Sequence, residues 1–339
     1  MTRRATCSRR RASRMEESLT NPLKILVALA GLVAMTGAAQ AQGFPDRPLH
    51  FIVPFGAGTV TDQYARAIAA GVTEVTGQPV VIDNRAGASG FIGTQQAAKA
   101  APDGYTVLIA TNTTHAANEH LFKKLPYDPV KDFAPVMVLG RGSQIMVVNP
   151  KVPAKTVAEF VELARKDPGR LTFGSGGSST LVAAELFMQM TGTRLTHVPY
   201  KSNPLALNDV IGGQIDMIIT DTATGIPQVK AGKVRALGVT STTRTSLAAD
   251  VPTIDEAGVR GYEMSFWFAA YVPAGTPEPI IRRLHEVLAK AAQGSAAENF
   301  RRTAGTEAFT TTPEGLVAFQ QAESQKWGRV IKAAGIQPE

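Results

Sequence analysis

Residues 49–70 read Leu-His-Phe-Ile-Val-Pro-Phe-Gly-Ala-Gly-Thr-Val-Thr-Asp-Gln-Tyr-Ala-Arg-Ala-Ile-Ala-Ala, and the fold can be read outward from them. Leu49 to Val53 is a short apolar run with β-branched and aromatic residues, the composition of a strand, and Pro54 ends it. Phe55-Gly56-Ala57-Gly58-Thr59 is a small-residue loop. Thr61-Asp62 then precede a helical pattern with Tyr64, Ala65, Ile68 and Ala69 on one face. A strand that feeds a Gly-rich loop and a helix start gathers free backbone N–H groups around an open space. The helix dipole and those unpaired donors attract anions.

The pattern recurs twice. Val80 to Ile82 runs into Asn84-Arg85-Ala86-Gly87-Ala88-Ser89-Gly90 and a helix through Gln96 to Ala98. Leu171 to Phe173 runs into Gly174-Ser175-Gly176-Gly177-Ser178-Ser179-Thr180 and a helix through Ala183, Leu186, Phe187 and Met190. Each loop read alone is an ordinary βα connection. Read together, they suggest donors and hydroxyls converging on something small and negative, because crevices in open α/β sheets lie at the strands' carboxyl ends.

Two long extended stretches stand apart from these units. Val136 to Val148 is interrupted by Gly140-Arg141-Gly142-Ser143, and Met264 to Val272 ends at Pro273. Both are read as crossings between two lobes. The remaining strands and helices alternate, with strands at Tyr105 to Ala110, His197 to Tyr200, Ile215 to Ile219 and Val234 to Val239. Helices are expected over 157–165, 277–292 and 313–333. Alternation predicts an α/β protein with parallel-rich sheets. The expected layout is a first domain of residues 42–143 and 264–339, a second of 144–263, and a hinge between them.

The chain of 339 residues carries a formal charge of +7, but the charge is unevenly placed. Residues 1–41 hold seven basic and two acidic side chains, and the rest hold 28 and 26. The body is near neutral and has no basic block interleaved with aromatics, so nucleic acid is not expected as a partner. Leu23 to Ala34 is an apolar core with basic residues upstream, and Ala39-Gln40-Ala41 is a small-x-small cleavage site. A signal peptide over 1–41 and a periplasmic product follow. The run is short for a membrane span, and Met15 itself opens a plausible signal. Cys7 is the only cysteine, so the exported chain has no disulfide, thiolate nucleophile or Cys metal site.

Little points to catalysis. The five histidines (His50, His115, His120, His197, His285) form no His-Glu-x-x-His pair. Gly174 to Thr180 is not Gly-x-Ser-x-Gly, and neither a P-loop lysine nor a dinucleotide fingerprint is present. No catalytic residue, metal ligand or cofactor is assigned. Candidate ligand-binding residues are Phe55, Gly56, Ala57, Gly58, Thr59, Thr61 and Asp62 in the first loop. Ala86, Gly87, Ala88, Ser89 and Gly90 stand in the second, with Thr111 and Asn112 after the strand at Tyr105. The third loop supplies Ser175, Gly176, Gly177, Ser178, Ser179 and Thr180, and Tyr200, Lys201 and Asp221 follow. Asp62 either caps and stiffens the first helix or contacts ligand. Asp221 either caps its loop or accepts from an amino or hydroxyl group. Phe55, Tyr200, Phe266 and Trp267 pack in the core or on a ligand's apolar part.

Further motifs occur in order along the chain: Phe44-Pro45-Asp46-Arg47-Pro48, Asp83 to Gly90, Ala101-Pro102-Asp103-Gly104-Tyr105, Val148-Asn149-Pro150 and Val198-Pro199-Tyr200-Lys201. Gly212-Gly213-Gln214-Ile215-Asp216, Arg235 to Thr240, Val251-Pro252-Thr253-Ile254 and Pro273-Ala274-Gly275-Thr276-Pro277 follow. With Ile52 to Gly58 and Asp62, this set resembles the substrate-binding proteins of tripartite tricarboxylate transporters, the Bug-type periplasmic receptors. The resemblance implies a type 2 periplasmic-binding-protein fold, two α/β domains that close like a flytrap. It implies a monomer that delivers a small carboxylate, such as a di- or tricarboxylate, an amino acid or an aromatic acid, to a membrane permease. It also implies a carboxylate held by backbone and hydroxyl groups at Gly56 to Thr61, Ala86 to Gly90 and Ser175 to Thr180. The first loop departs from the family's usual Gly-Gly pair, with Ala57-Gly58-Thr59-Val60 in its place. Signalling to a membrane sensor, or a secreted hydrolase acting through Ser178, are the other functions weighed.

Overall fold

The computed structural model describes residues 43–338, so the signal-peptide reading of residues 1–41 lies outside the described residues. The strands form two mixed sheets. In chain order they are β1 (Leu49–Val53), β2 (Val80–Asn84), β3 (Thr106–Thr111), β4 (Phe133–Gly142), β5 (Gln144–Val148), β6 (Thr172–Ser175), β7 (Thr196–Pro199), β8 (Met217–Asp221), β9 (Arg235–Val239), β10 (Phe266–Pro273) and β11 (Thr306–Glu307). The first sheet runs β11-β4-β10-β3-β1-β2 and the second β7-β6-β8-β5-β9. β1 is parallel to β2 and β3, and β10 is antiparallel to β3 and β4.

The centres of β1 and β3, Phe51 to Val53 and Val107 to Ala110, are apolar because helices cover both faces. Phe51, Val53, Val107 and Ile109 face one core, together with α1 (Val60–Thr76) and α8 (Glu278–Gln293). Ile52, Leu108 and Ala110 face another, which continues into the second sheet through Met146, Phe173 and Phe187. Helix α8 places Ile280, Leu284, Val287, Leu288 and Ala291 on its buried face, a helical spacing.

The chain passes from the first sheet to the second and back. β4 passes into β5 through Ser143 alone, so the break is narrower than Gly140-to-Ser143. Gly140 and Gly142 lie inside β4 for a reason other than a turn. A Cβ on Gly140 would stand 2.9 Å from the Tyr64 hydroxyl, and one on Gly142 would overlap the Phe266 ring. The chain returns from β9 in the second sheet to β10, which pairs only within the first sheet and is buried along its length. Helix α10 (Pro313–Ala333) also joins the two layers. It packs on β4 and on the helix over 178–191, where Gln189 Nε2 donates to Val330 O at 2.8 Å. Helix α9 (Ser295–Ala304) and strand β11 were not foreseen.

Candidate functional site

The first loop is closed on itself. Thr59 caps α1 by accepting from Asp62 N, and its hydroxyl donates to Gly56 O at 2.8 Å. Gly58 N donates to Asp62 Oδ2 at 2.7 Å. Asn84 Nδ2, at the end of β2, donates to Phe55 O and to Asp62 Oδ1, both at 3.1 Å. Arg66 completes the set at 3.1 Å. Desolvation pushes the Asp62 carboxyl up, but the Gly58 N–H, Arg66 and Asn84 outweigh it and hold the group below its ordinary range. Asp62 thus stiffens the loop. The Gly58 N–H, in a loop expected to offer donors to a ligand, is taken by Asp62. Thr61 is buried beneath the helix start.

The second loop is built differently. Ser89 and Gly90 are consecutive left-handed residues, with φ of 53° and 86°. The carbonyl of Ser89 accepts from Asn118 Nδ2 at 3.0 Å, and Asn118 is fully buried. Helix α2 (Phe91–Ala98) follows Gly90 with no side chain capping its first turn. A Cβ on Gly93 would stand 2.8 Å from Pro54 Cα, so the first two loops touch. Beside them, Thr111 and Asn112 are buried at the end of β3, where Thr111 Oγ1 and Asn112 Nδ2 have no partner among the described residues. The chain continues as a π-helical turn over Thr113–Ala117, an element that recurs at functional sites. In that turn His115 stacks on Tyr271 at 4.2 Å, and burial holds it neutral, its pKa down at about 3.

The second sheet supplies the opposing group. Gly176 N donates to Asn203 Oδ1 at 2.9 Å, and Thr180 Oγ1 donates to the same oxygen at 3.1 Å. Tyr200 N donates to Ser175 O at 2.8 Å, but the Tyr200 hydroxyl turns away and donates to Asp209 at 2.6 Å. Lys201 is exposed and forms no ion pair among the described residues. Helix α5 (Ser178–Thr191) begins after exposed Gly177 with no side-chain cap, and Ser178 and Ser179 are half-buried in its first turn. Gln144 Nε2 donates to Ser179 Oγ at 3.3 Å. Ser175 Oγ lies 2.7 Å from His197 Nε2, but Ser175 is buried and no carboxylate bonds His197 among the described residues. Asp221 ends β8, half-buried, and burial pushes its carboxyl up to about 6. Trp267 is buried and donates to Glu323, so it is a core residue.

The carboxyl ends of β1, β2 and β3 point toward the crossing at Ser143, and so do those of β6 and β8 in the second sheet. Helix α5 packs against the turn over 113–117. The two loop groups therefore face one another across the seam. Helices α2 and α5 start among them without a side-chain cap bond, as do the helices over 203–212 and 222–230 that follow β7 and β8, whereas α1, α4 (Val157–Lys166) and α10 carry threonine caps. Uncapped first turns with nearby hydroxyls suit an anion. Sequence reasoning missed Asn84, Asn118, Gln144 and Asn203, the side chains that hold these loops.

A model of the tripartite tricarboxylate transporter family receptor matches residues 64–336. Protein BugT of Bordetella pertussis is 33% identical over 314 residues, covering 92% of this chain and 95% of its own. Rpa4515 of R. palustris, solved with adipate, is 37% identical with a TM-score of 0.80, covering 87% of this chain and 100% of its own. MatC of Rhodopseudomonas palustris, solved with bound malate, is 31% identical with a TM-score of 0.75, covering 85% and 100%.

Proposed function

The chain belongs to the tripartite tricarboxylate transporter receptor family, and from that premise we propose that it is a periplasmic receptor that captures a small carboxylate between its two sheets and hands it to a membrane permease. What supports this reading is that α2, at Phe91, and α5, at Ser178, start without a side-chain cap at the strand carboxyl ends of the two sheets. In this reading a carboxylate takes bonds from the first-turn N–H groups of α5 and the hydroxyls of Ser178 and Ser179. Ser89 and the buried amide of Asn112 close over it from the other side. Charge-assisted bonds to backbone donors are strong where water is excluded. The adipate and malate of the two solved relatives support the chemical class. Residues 42–143 with 264–339 form one closing body, 144–263 the other, with Ser143 and β10 as the hinge. The chain acts as a monomer without metal or cofactor and does not turn its ligand over. Removal of residues 1–41 on export fits a receptor of this kind.

The test is thermal unfolding of the purified protein against dicarboxylates, tricarboxylates, amino acids and aromatic acids. A ligand at about a hundred times its Kd adds about 2.7 kcal/mol. A selective rise in Tm supports capture. A flat response, with mass spectrometry finding no small molecule carried through purification, removes the receptor reading.

A further inference from the structure

The start of the second sheet narrows the ligand class, an inference that rests on the receptor reading above. Gln144 and Asp221 are direct partners in the antiparallel β5–β8 ladder. Their side chains leave the same face of the sheet with Cβ atoms about 5 Å apart. It is the face of Met146 and Ile219, in the core that α5 covers. β6 leads into α5, and β8 is parallel to β6. The Asp221 end of β8 and the first turn of α5 therefore lie at one end of one face. The bond from Gln144 to Ser179 ties the three together.

Two opposite demands meet at this spot. The uncapped start of α5 attracts an anion. Asp221 beside it is itself an anion, with no side-chain cap bond to the helix it precedes and no ion pair among the described residues. Gln144 is 1% exposed, and its Oε1 has no partner among the described residues. Turning that amide over changes which atom is left unpaired but still leaves one. Buried polar groups without partners are costly and rare, so their concentration at the seam points to a partner that arrives with the ligand. A plain carboxylate satisfies α5 but adds a second negative charge next to Asp221.

We propose that the ligand carries a protonated amino group next to its carboxylate: the carboxylate lies on the first turn of α5, and the ammonium donates to Asp221 and to the free oxygen of Gln144. A hydroxyl has one proton for these two acceptors and no charge to balance Asp221, whereas an ammonium has three protons and one charge. The class is amino acids and other amino-substituted carboxylic acids.

The test is calorimetric titration of the purified protein at neutral pH with matched triplets: aspartate, malate and succinate; phenylalanine, phenyllactate and phenylpropanoate; alanine, lactate and propanoate. In the triplet that binds, the amino member is expected to bind at least about tenfold more tightly than the unsubstituted acid. In Asp221→Asn that ratio is expected to fall toward one through loss of the amino member. Gln144→Leu gives a second, independent reduction of the same ratio, and circular dichroism verifies that both variants are folded. An unsubstituted or hydroxy acid that binds as tightly as its amino partner overturns the inference and leaves the receptor reading standing. Silence in every triplet and from the wider carboxylate panel overturns both.

Discussion

Asn118 holds the carbonyl of Ser89 at 3.0 Å, and Ser89 is the one non-glycine residue with a positive φ among the described residues. The contact spans 29 positions of chain. Asn118 also donates to the Tyr127 hydroxyl at 3.2 Å, and that hydroxyl donates to Thr114 O at 2.9 Å. A strained residue of this kind persists only where its surroundings over-determine it. Asn118→Ala leaves the Ser89 carbonyl without its partner and is expected to cost about 1–3 kcal/mol in denaturant unfolding. Carboxylate affinity should fall with it, because the Ser89 loop loses its set conformation. Ser89→Gly relieves the backbone and should leave stability unchanged or raise it by up to about 1 kcal/mol. A marked loss in Ser89→Gly would show that the Ser89 side chain, rather than its backbone, is what the fold needs.

Asp62 accepts from three residues, Gly58, Arg66 and Asn84, so its ionised form stabilises the fold. Its pKa is lowered on folding: desolvation opposes the shift, but the Gly58, Arg66 and Asn84 contacts outweigh it. The sign follows from linkage. A group whose folded pKa lies below its unfolded value binds fewer protons when folded, so its contribution is full above the unfolded value, about 3.9, and is lost as pH falls through the folded one. Asp62→Asn is therefore expected to be less stable than the parent at neutral pH, with the gap closing in acid. A constant gap across an acid titration of unfolding free energy would remove this account.

Much of this arrangement is legible in the sequence. The apolar runs of β1, β3 and β10 announce strands because both their faces are buried, and three Gly-rich loops mark the strand ends. Helix α9 is hidden because Ser295 to Ala304 is mostly polar and buries only Ala297, Phe300 and Ala304. Gly140 and Gly142 resemble a turn, since a close approach to Tyr64 and Phe266 leaves no local trace. The asparagines are the hardest to foresee. Asn84, Asn118 and Asn203 each reach a loop 22 to 29 residues away, and a single buried amide has no periodicity to betray it.

Glycine positions in the third loop separate close packing from openness. A Cβ on Gly176 would overlap the backbone of Ser202 and Asn203, the segment whose Asn203 side chain bonds Gly176 N. Gly177 has nothing within 4 Å of such an atom. Gly176→Ala is expected to push the two segments apart and cost about 1–3 kcal/mol, the usual range for overpacking. Gly177→Ala should stay within about 0.5 kcal/mol, as exposed substitutions do. Thermal unfolding of the pair settles it, and equal effects would mean that loops 174–180 and 200–203 are not in contact in solution.

Asp221 should behave in the opposite sense to Asp62. Burial raises its carboxyl to about 6 from an ordinary 3.8, and no neighbouring charge contributes to the shift. A carboxyl with a raised folded pKa binds more protons when folded than unfolded, so stability falls as pH rises through the interval between the two values. Its ionised form thus opposes folding above about pH 6, and that opposition fades on acidification toward pH 3.8. Asp221→Asn is expected to be more stable than the parent at neutral pH, with the advantage shrinking as pH falls across the interval. A ligand that brings an ammonium to Asp221 should reverse the ranking at neutral pH, because it pairs the charge that the parent otherwise buries alone. Unfolding curves of both proteins, with and without such a ligand, measure the two effects separately. A parent that outranks Asp221→Asn without ligand would mean that a partner already balances the carboxylate.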